Sequence, residues 1–578
     1  MIHTSDIYAF CITVFIAIMF TSPGLYLSDE LAPANQLYQI SHDMQLVYHE
    51  GPYGIYSNST PLTTLIAVVS YSNGTKIVID KSIIGSNYVM IYPLLLPIIA
   101  LPVYLIISFI PDASRIVPLI LWGFILLCVA NIVVMFYKYK IRGIEYLYAI
   151  TAIAILSNLI YYSTIVTNLE VIAIVLTNVL LYGLFGTYIW KCVSYMFEGD
   201  YKQIFVWIAV MASSSLLFWV SVLKDHVIIS LLFIMILYYI IKFYDTVERY
   251  YLVVSAILTG IIIWERPELS IAIAPLICLL LLYKFKNLWL RPVLTYSIVL
   301  GISLIPAMIN NYIVTNSPFK FPYQAVGQTL GGFHLKSSNN IFNLLIFEIP
   351  SHIWSSISTI TINNIIGIMI YPINGGAGLL PFIMIPIFTI VLIPYFIYYK
   401  NVILTSSEKI LYVFSFTTCI MYLFTTAIGF TLHAESGMLP DMRYFVLIYA
   451  PLTIASLSIL TRVYKMDYKS LIRKFIIWFG ITLIGFTICV TIISNGVMTM
   501  QSINLSANII ALAIFAISIA IIIDTIRTNR VDGLETNIAL MISLPLTWQI
   551  FISIFVVKLY SSPMILPIMD LIKKLIIG

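Results

Sequence analysis

The chain has 578 residues, 61% of them hydrophobic and only 10% charged, with a mean hydropathy of +1.01. Soluble domains carry about 25% charged residues, so a water-soluble fold is excluded. The formal net charge of +5 is spread over short turns between apolar runs, and no basic tract suits a nucleic acid.

Apolar runs of roughly 18 to 25 residues recur from one end to the other, each long enough to cross a hydrocarbon core of about 30 Å. The bilayer takes the place of a buried core, so helices are expected throughout. The alternating ten-residue pattern of a transmembrane barrel is missing. The six cysteines (Cys11, Cys128, Cys192, Cys278, Cys419, Cys489) are scattered without metal or redox spacing. They read as small buried hydrophobes.

The first apolar run, Ile7–Leu25, lacks a basic flank and reads as a retained signal-anchor. A polar loop, 26–88, follows it and opens with Ser28-Asp29-Glu30. It carries two glycosylation sequons, Asn58-Ser59-Thr60 and Asn73-Gly74-Thr75, and just two lysines, Lys76 and Lys81. Both traits suit an extracytoplasmic loop. Within it, Leu31–His49 is predicted to form an amphipathic helix lying on the membrane surface.

Apolar segments then come at 89–110, 116–137, 146–166, 169–190, 203–223 and 226–243. The first of these contains Pro93, Pro97 and Pro102, which predicts a kink or break. Shorter runs at 250–264 and 269–283 are split by Trp264-Glu265-Arg266-Pro267-Glu268. After 292–314 a second long polar loop, 315–374, includes a stretch read as a surface helix with a re-entrant end, Ile341–Tyr371. Further spans are expected at 379–399, 409–430, 444–462, 474–494, 507–525 and 536–558, and the tail ends with Lys573 and Lys574 at the interface.

The expectation is therefore an all-α polytopic membrane protein of roughly 13 to 15 crossings. A module over 1–460 carries the two external loops, and 461–578 adds helices and a short amphipathic tail. Orientation is ambiguous from counting alone. With the first loop outside, simple alternation puts the basic turn Lys138–Arg142 outside as well, against the positive-inside tendency.

Residues able to carry chemistry are few, and each has a plain structural alternative. Asp29 and Glu30 follow the turn-forming Pro23-Gly24 at the membrane surface. They suit a general base or a metal-holding pair, and equally the N-cap of a helix starting at Leu31. Glu170 sits in the polar island Thr167–Glu170 and either solvates a turn or joins Asp29 beside the reacting atoms. Lys224-Asp225-His226 breaks two spans as a loop, a paired charge or a substrate-binding element. Arg266, stiffened by Pro267 at a span end, and Arg443, opening another, could each hold a phosphate or anchor a helix at the interface. His49 in the first loop, and Glu268 beside Arg266, are further candidates for substrate or metal. No zinc motif occurs among the histidines.

In order, these features resemble the GT-C superfamily of integral membrane glycosyltransferases, most closely the protein O-mannosyltransferases and the lipid A aminoarabinose transferase family. The marks are Asp29-Glu30 after the first span, Tyr92-Pro93-Leu94 opening the second, Glu170, and Arg266-Pro267-Glu268 at a span junction. Downstream come Asn311-Tyr312 with Ser317-Pro318-Phe319, then Asn374-Gly375-Gly376, then Arg443-Tyr444. The resemblance covers residues 1 to about 460. It implies inverting transfer of a sugar from a polyprenyl-phosphate donor, of the dolichyl or undecaprenyl type, to an extracytoplasmic protein, lipid or glycan. It further implies Asp29 as the group that activates the acceptor, Glu30 as its neighbour, and Glu170 as the acidic residue of the second external loop. Arg266 and Arg443 would hold the lipid phosphate, with Lys224 a further cation for it. A divalent ion such as Mg or Mn takes part in some members and not others. The chain departs from the family in having no large soluble C-terminal domain. It also lacks the Trp-Trp-Asp-Tyr-Gly sequence of oligosaccharyltransferases. The competing reading from another class is a transporter or lipid-linked glycan flippase, which predicts inverted repeats and mid-membrane ionisable residues; a third is a non-catalytic membrane scaffold.

Overall fold

The computed structural model describes residues 4–21, 30–43, 93–111, 116–137, 168–286, 290–315, 378–422, 443–493 and 532–553, with shorter pieces between them. Among these, five helices are long and apolar enough to cross a membrane, and five shorter apolar helices accompany them. The chain is an integral membrane protein built on helices, and it divides into two compact units. One comprises 1–191 with 216–231, the other 192–215 with 232–578.

The first unit is organised by α1 (Thr4–Phe20) and α5 (Leu169–Met196), with α2 (Leu31–Asp43), α3 (Leu95–Ile107) and α4 (Ile116–Tyr137) between them in sequence. Helix α1 runs antiparallel to α5 along a glycine seam. A Cβ at Gly183 would overlap Val14 and Phe10, and one at Gly186 would overlap Thr13. Close backbone approach through small residues is how helices associate in lipid, where no hydrophobic drive separates protein from solvent. Lys191 Nζ lies 3.8 Å from Asp6 at one end of the seam. The Tyr8 hydroxyl donates to the Val129 carbonyl at 2.6 Å, fixing α1 to α4 as well. This register carries the end of α1, and hence the start of the first loop, towards the Glu170 end of α5.

The first loop adds short antiparallel strand pairs that helix-based reading does not anticipate. Val47–Tyr48 (β1) pairs with Tyr88–Val89 (β6) and draws the loop's ends together. Tyr56–Ser57 (β2) pairs with Thr60–Pro61 (β3), and Ser70–Ser72 (β4) with Thr75–Ile77 (β5). Helix α2 is present, six residues shorter than expected at its C-terminal end. Its first two turns are enclosed, with Ala32, Ala34 and Asn35 fully buried; exposure begins near Tyr38. The small alanines allow that approach, so the helix enters the unit at its start and meets solvent at its end.

In the second unit, α6 (Asp200–Ala212) ends eleven residues before the predicted span 203–223 would, at Ser213-Ser214-Ser215. In the first unit, a single helical turn, α7 (Leu216–Trp219), and an irregular stretch lead to α8 (His226–Thr246), which continues into the second. Helices α9 (Arg249–Glu265) and α10 (Pro267–Phe285) form a tight hairpin with Arg266 alone between them. Pro267 at the first helical position suits the start of α10, where its missing N–H costs nothing. The expected 292–314 span is two helices, α11 (Leu290–Ser303) and α12 (Ile305–Thr315), interrupted at Leu304 just before Pro306.

Helices α13 (Leu380–Lys400), α14 (Ser406–Tyr422), α15 (Val446–Val463), α16 (Tyr468–Ile493) and α17 (Asp532–Phe551) complete the unit. Residues 443–463 form its centre, 94% buried over their most apolar window, against 11% for 290–313. The latter meets lipid along Leu294, Ile298, Ile302, Ile305 and Ile309, a stripe at helical spacing. It is held to α9 where Gly260 admits Ser303 and where the Tyr296 hydroxyl donates to Thr259 at 3.1 Å. Helix α17 runs parallel to α16: Lys474 pairs with Glu535, and Thr482 bonds Thr547 further along.

Candidate functional site

Candidate residues gather at two centres, one in each unit. In the first unit the chain between α7 and α8 is irregular and wholly buried. Lys224, Asp225 and His226 are 6, 9 and 5% exposed, as is expected of charges that must be compensated at membrane depth. Trp219 packs edge-on against His226 with ring centroids 4.2 Å apart. Glu30, just before α2, is fully buried, and its Oε1 accepts the Leu223 N–H at 3.2 Å. The preceding residue's carbonyl, that of Val222, accepts from Asn178 Nδ2 on α5 at 2.9 Å. The first-loop acid and the Lys224–His226 break, nominated separately from sequence, therefore meet.

Two turns from Asn178, about 12 Å along the helix, α5 begins with Glu170. Its side chain is buried, in the electrostatic neighbourhood of Tyr104 on α3, and the nearby Ser41 hydroxyl of α2 donates to the Tyr38 carbonyl at 3.0 Å. His42 extends this group, stacking on Tyr38 at 4.1 Å and standing 6.2 Å from the Tyr104 ring. Glu30 and Glu170 thus belong to one unit. Asp29 and His49 lie outside the described residues, as does the side chain of Glu268.

The second centre joins both nominated arginines. Arg266, at the turn between α9 and α10, lies 5.4 Å from the Tyr444 ring centroid, and Arg443 lies 5.0 Å from the same centroid. Arg443 Nη2 also donates to the Tyr444 hydroxyl at 3.3 Å. Two residues 177 positions apart in sequence bring their guanidiniums to one aromatic ring. Asn311, of the Asn-Tyr pair, donates through Nδ2 to the Pro318 carbonyl at 3.3 Å, closing the end of α12 onto the Ser317–Phe319 stretch. Asn374-Gly375-Gly376 lies outside the described residues.

Sequence reading missed Asn178, Tyr104 and Ser41. Asn178 carried a usable signal, an amide in the middle of an otherwise apolar span. Tyr104 and Ser41 had none, since tyrosines and serines abound in this chain. Among the described residues, no three His, Cys, Asp or Glu side chains are grouped as a metal site.

No protein-family model matches the chain, and no curated protein matches it. Among solved structures, ArnT from Cupriavidus metallidurans, bound to undecaprenyl phosphate, is similar at a TM-score of 0.47 and 10% sequence identity. That likeness covers 95% of this chain and 77% of ArnT.

Proposed function

We propose that this protein is a membrane glycosyltransferase that moves a sugar from a polyprenyl-phosphate donor to an acceptor outside the cytoplasm, with inversion. The observation that carries the reading is the meeting of Arg266 and Arg443 at Tyr444. Guanidiniums match phosphate oxygens in pairs, and two that share one aromatic ring suit that task. A phosphate held there is the leaving group of the reaction.

In the proposed step, an acceptor oxygen or nitrogen attacks the anomeric carbon from the face opposite the phosphate. Its proton passes to the Asp29 carboxylate, the new glycosidic bond forms, and the bond from the anomeric carbon to the phosphate oxygen breaks. The electron pair leaves with the polyprenyl phosphate, whose growing charge the arginines stabilise. In this reading Glu30 is the neighbour of the base in sequence, Glu170 is a further acid of the reaction, and His49, Asp225, His226 and Glu268 are candidates to bind substrate or metal. A divalent ion such as Mg or Mn, if it takes part, would use the Asp29 carboxylate as ligand instead of base.

The distribution of basic residues supports the extracytoplasmic reading. Within the second unit, the helices that start beside Arg266 and Arg443 end at Lys284 and Arg462, and α13 ends at Lys400 near Arg462. Basic turns favour the cytoplasm, which leaves the arginine–tyrosine centre on the outer side. The buried Lys224–His226 trio favours a second reading, a lipid-linked glycan flippase or transporter, since ionisable residues inside the membrane often line a transport path.

The deciding assay is sugar transfer by purified wild type and Asp29→Asn. Polyprenyl-phosphate sugars, a panel of acceptors and arms with and without divalent ions complete it. Transfer by wild type that collapses in folded Asp29→Asn supports the reading, and a metal requirement would make Asp29 a ligand. Full transfer by the mutant removes Asp29 from the mechanism and points to Glu170. No transfer by wild type, with movement of lipid-linked sugar across liposomes, would replace the enzyme with a flippase.

A further inference from the structure

Asn178 costs the fold something. It sits in an apolar span, fully buried, where an aliphatic side chain would avoid the desolvation of an amide. Its return is one bond with a consequence. Asn178 Nδ2 donates to the Val222 carbonyl at 2.9 Å, and the Leu223 N–H donates to Glu30 Oε1 at 3.2 Å. That carbonyl and that N–H belong to the same peptide unit, which is planar and points its two groups in opposite directions when trans. Among the described residues no peptide bond is cis.

One rigid plate is therefore gripped at its oxygen by Asn178 and grips Glu30 at its nitrogen. Accepting a bond at the carbonyl polarises the unit and strengthens the N–H as a donor. Val222, Leu223 and Glu30 are all fully buried, so bulk water does not compete for either bond. The plate also sits at the only irregular stretch joining α7 to α8, immediately before Lys224. Nothing else in a regular helix ladder would fix its orientation, and the Lys224 N–H, which reaches the Val222 carbonyl at 2.8 Å, closes the turn around it.

We propose that Asn178 is a positioning residue for the Asp29–Glu30 pair, acting through the Val222–Leu223 peptide unit. The role rests on the reading of that pair as the acceptor-activating acids. Asn178 touches neither donor nor acceptor; it sets where Glu30 stands, and Glu30 is the covalent neighbour of the base. Its loss releases the grip on Glu30, which slows chemistry without weakening capture of the lipid donor.

The test compares full-length wild type, Asn178→Leu, Glu30→Gln and the double variant, reconstituted in liposomes, by transfer kinetics and by thermal melting. Asn178→Leu is expected to lower kcat about tenfold to a hundredfold with the donor KM unchanged. Because both side chains act through one peptide, Asn178→Leu should cost less than about threefold more in the Glu30→Gln background. Multiplicative losses, or a raised donor KM with kcat kept, would overturn the proposal while leaving the glycosyltransferase reading intact. Should wild type transfer no sugar from any donor, that reading falls instead, and the melting cycle still reads the link. Melting shifts that fail to add support the shared peptide, and shifts that add overturn it.

Discussion

The helix over 443–463 carries an arginine at each end, about 28 Å apart at the rise of an α-helix, and the two ends are furnished in opposite ways. Arg462 meets Glu408 through Nη2 at 2.5 and 2.6 Å. The Ser458 hydroxyl donates to the same carboxylate at 2.6 Å, and Arg462 Nη1 donates to the Ile403 carbonyl at 3.0 Å. Glu408 also closes a reciprocal cap with Thr405 at the start of α14, its Oε2 accepting the Thr405 N–H at 2.8 Å. Every oxygen is spoken for by protein, and the cluster ties α14, α15 and the preceding turn together. At the other end, Arg443 and Arg266 share an aromatic ring, which attracts cations without cancelling their charge. The first end is built to hold helices. The second brings two guanidiniums to one ring, the groups whose forked donors match phosphate oxygens.

Mutation should separate the two ends. The largest effect is expected at Glu408→Ala, which strands a guanidinium and should destabilise the fold by about 3 kcal/mol. The figure sits at the lower end for a broken buried pair because Arg462 is about a third exposed. Thermal unfolding in detergent measures it, and the protein that stays folded should still transfer sugar; specific loss of transfer would erase the distinction. Next, Arg266→Ala and Arg443→Ala should each raise the donor KM about tenfold, equivalent to roughly 1.4 kcal/mol of lost binding, with melting nearly unchanged. A large melting shift with an unaltered KM would make that end structural too. Replacing the ring by Tyr444→Leu should cost about threefold in donor KM, the scale of one or two partly solvated cation–ring contacts. The smallest effect belongs to Glu535→Gln. Its partner Lys474 is about a third exposed, so the pair contributes no more than about 0.5 kcal/mol to melting stability.

Hydropathy alone located most of the described helices, because a 20-residue apolar run has few alternatives in a bilayer. It erred at Ser213-Ser214-Ser215, where α6 stops inside an apolar run, and at Leu304, where Pro306 removes a donor from the ladder. The first loop was hardest, since a tyrosine- and serine-rich segment can pair as strands, and pairing across 40 residues leaves no local periodicity. The candidate residues were legible singly, as charges at span ends. Their grouping was not. Nothing in the sequence joins Arg266 to Arg443, or Glu30 to the turn before Lys224, because both meetings depend on helix packing.

The contact between Asn178 and Glu30 runs through main-chain atoms alone, and that has a practical cost for anyone mapping this protein by substitution. Replacing Val222 or Leu223 with another aliphatic residue leaves the carbonyl and the N–H in place. A saturation library would score both positions as packing sites, tolerant of size-matched neighbours and intolerant of charge. The one residue that would expose their electrical role is proline at position 223, which deletes the N–H. The residue that matters most there is the one whose side chain is never consulted.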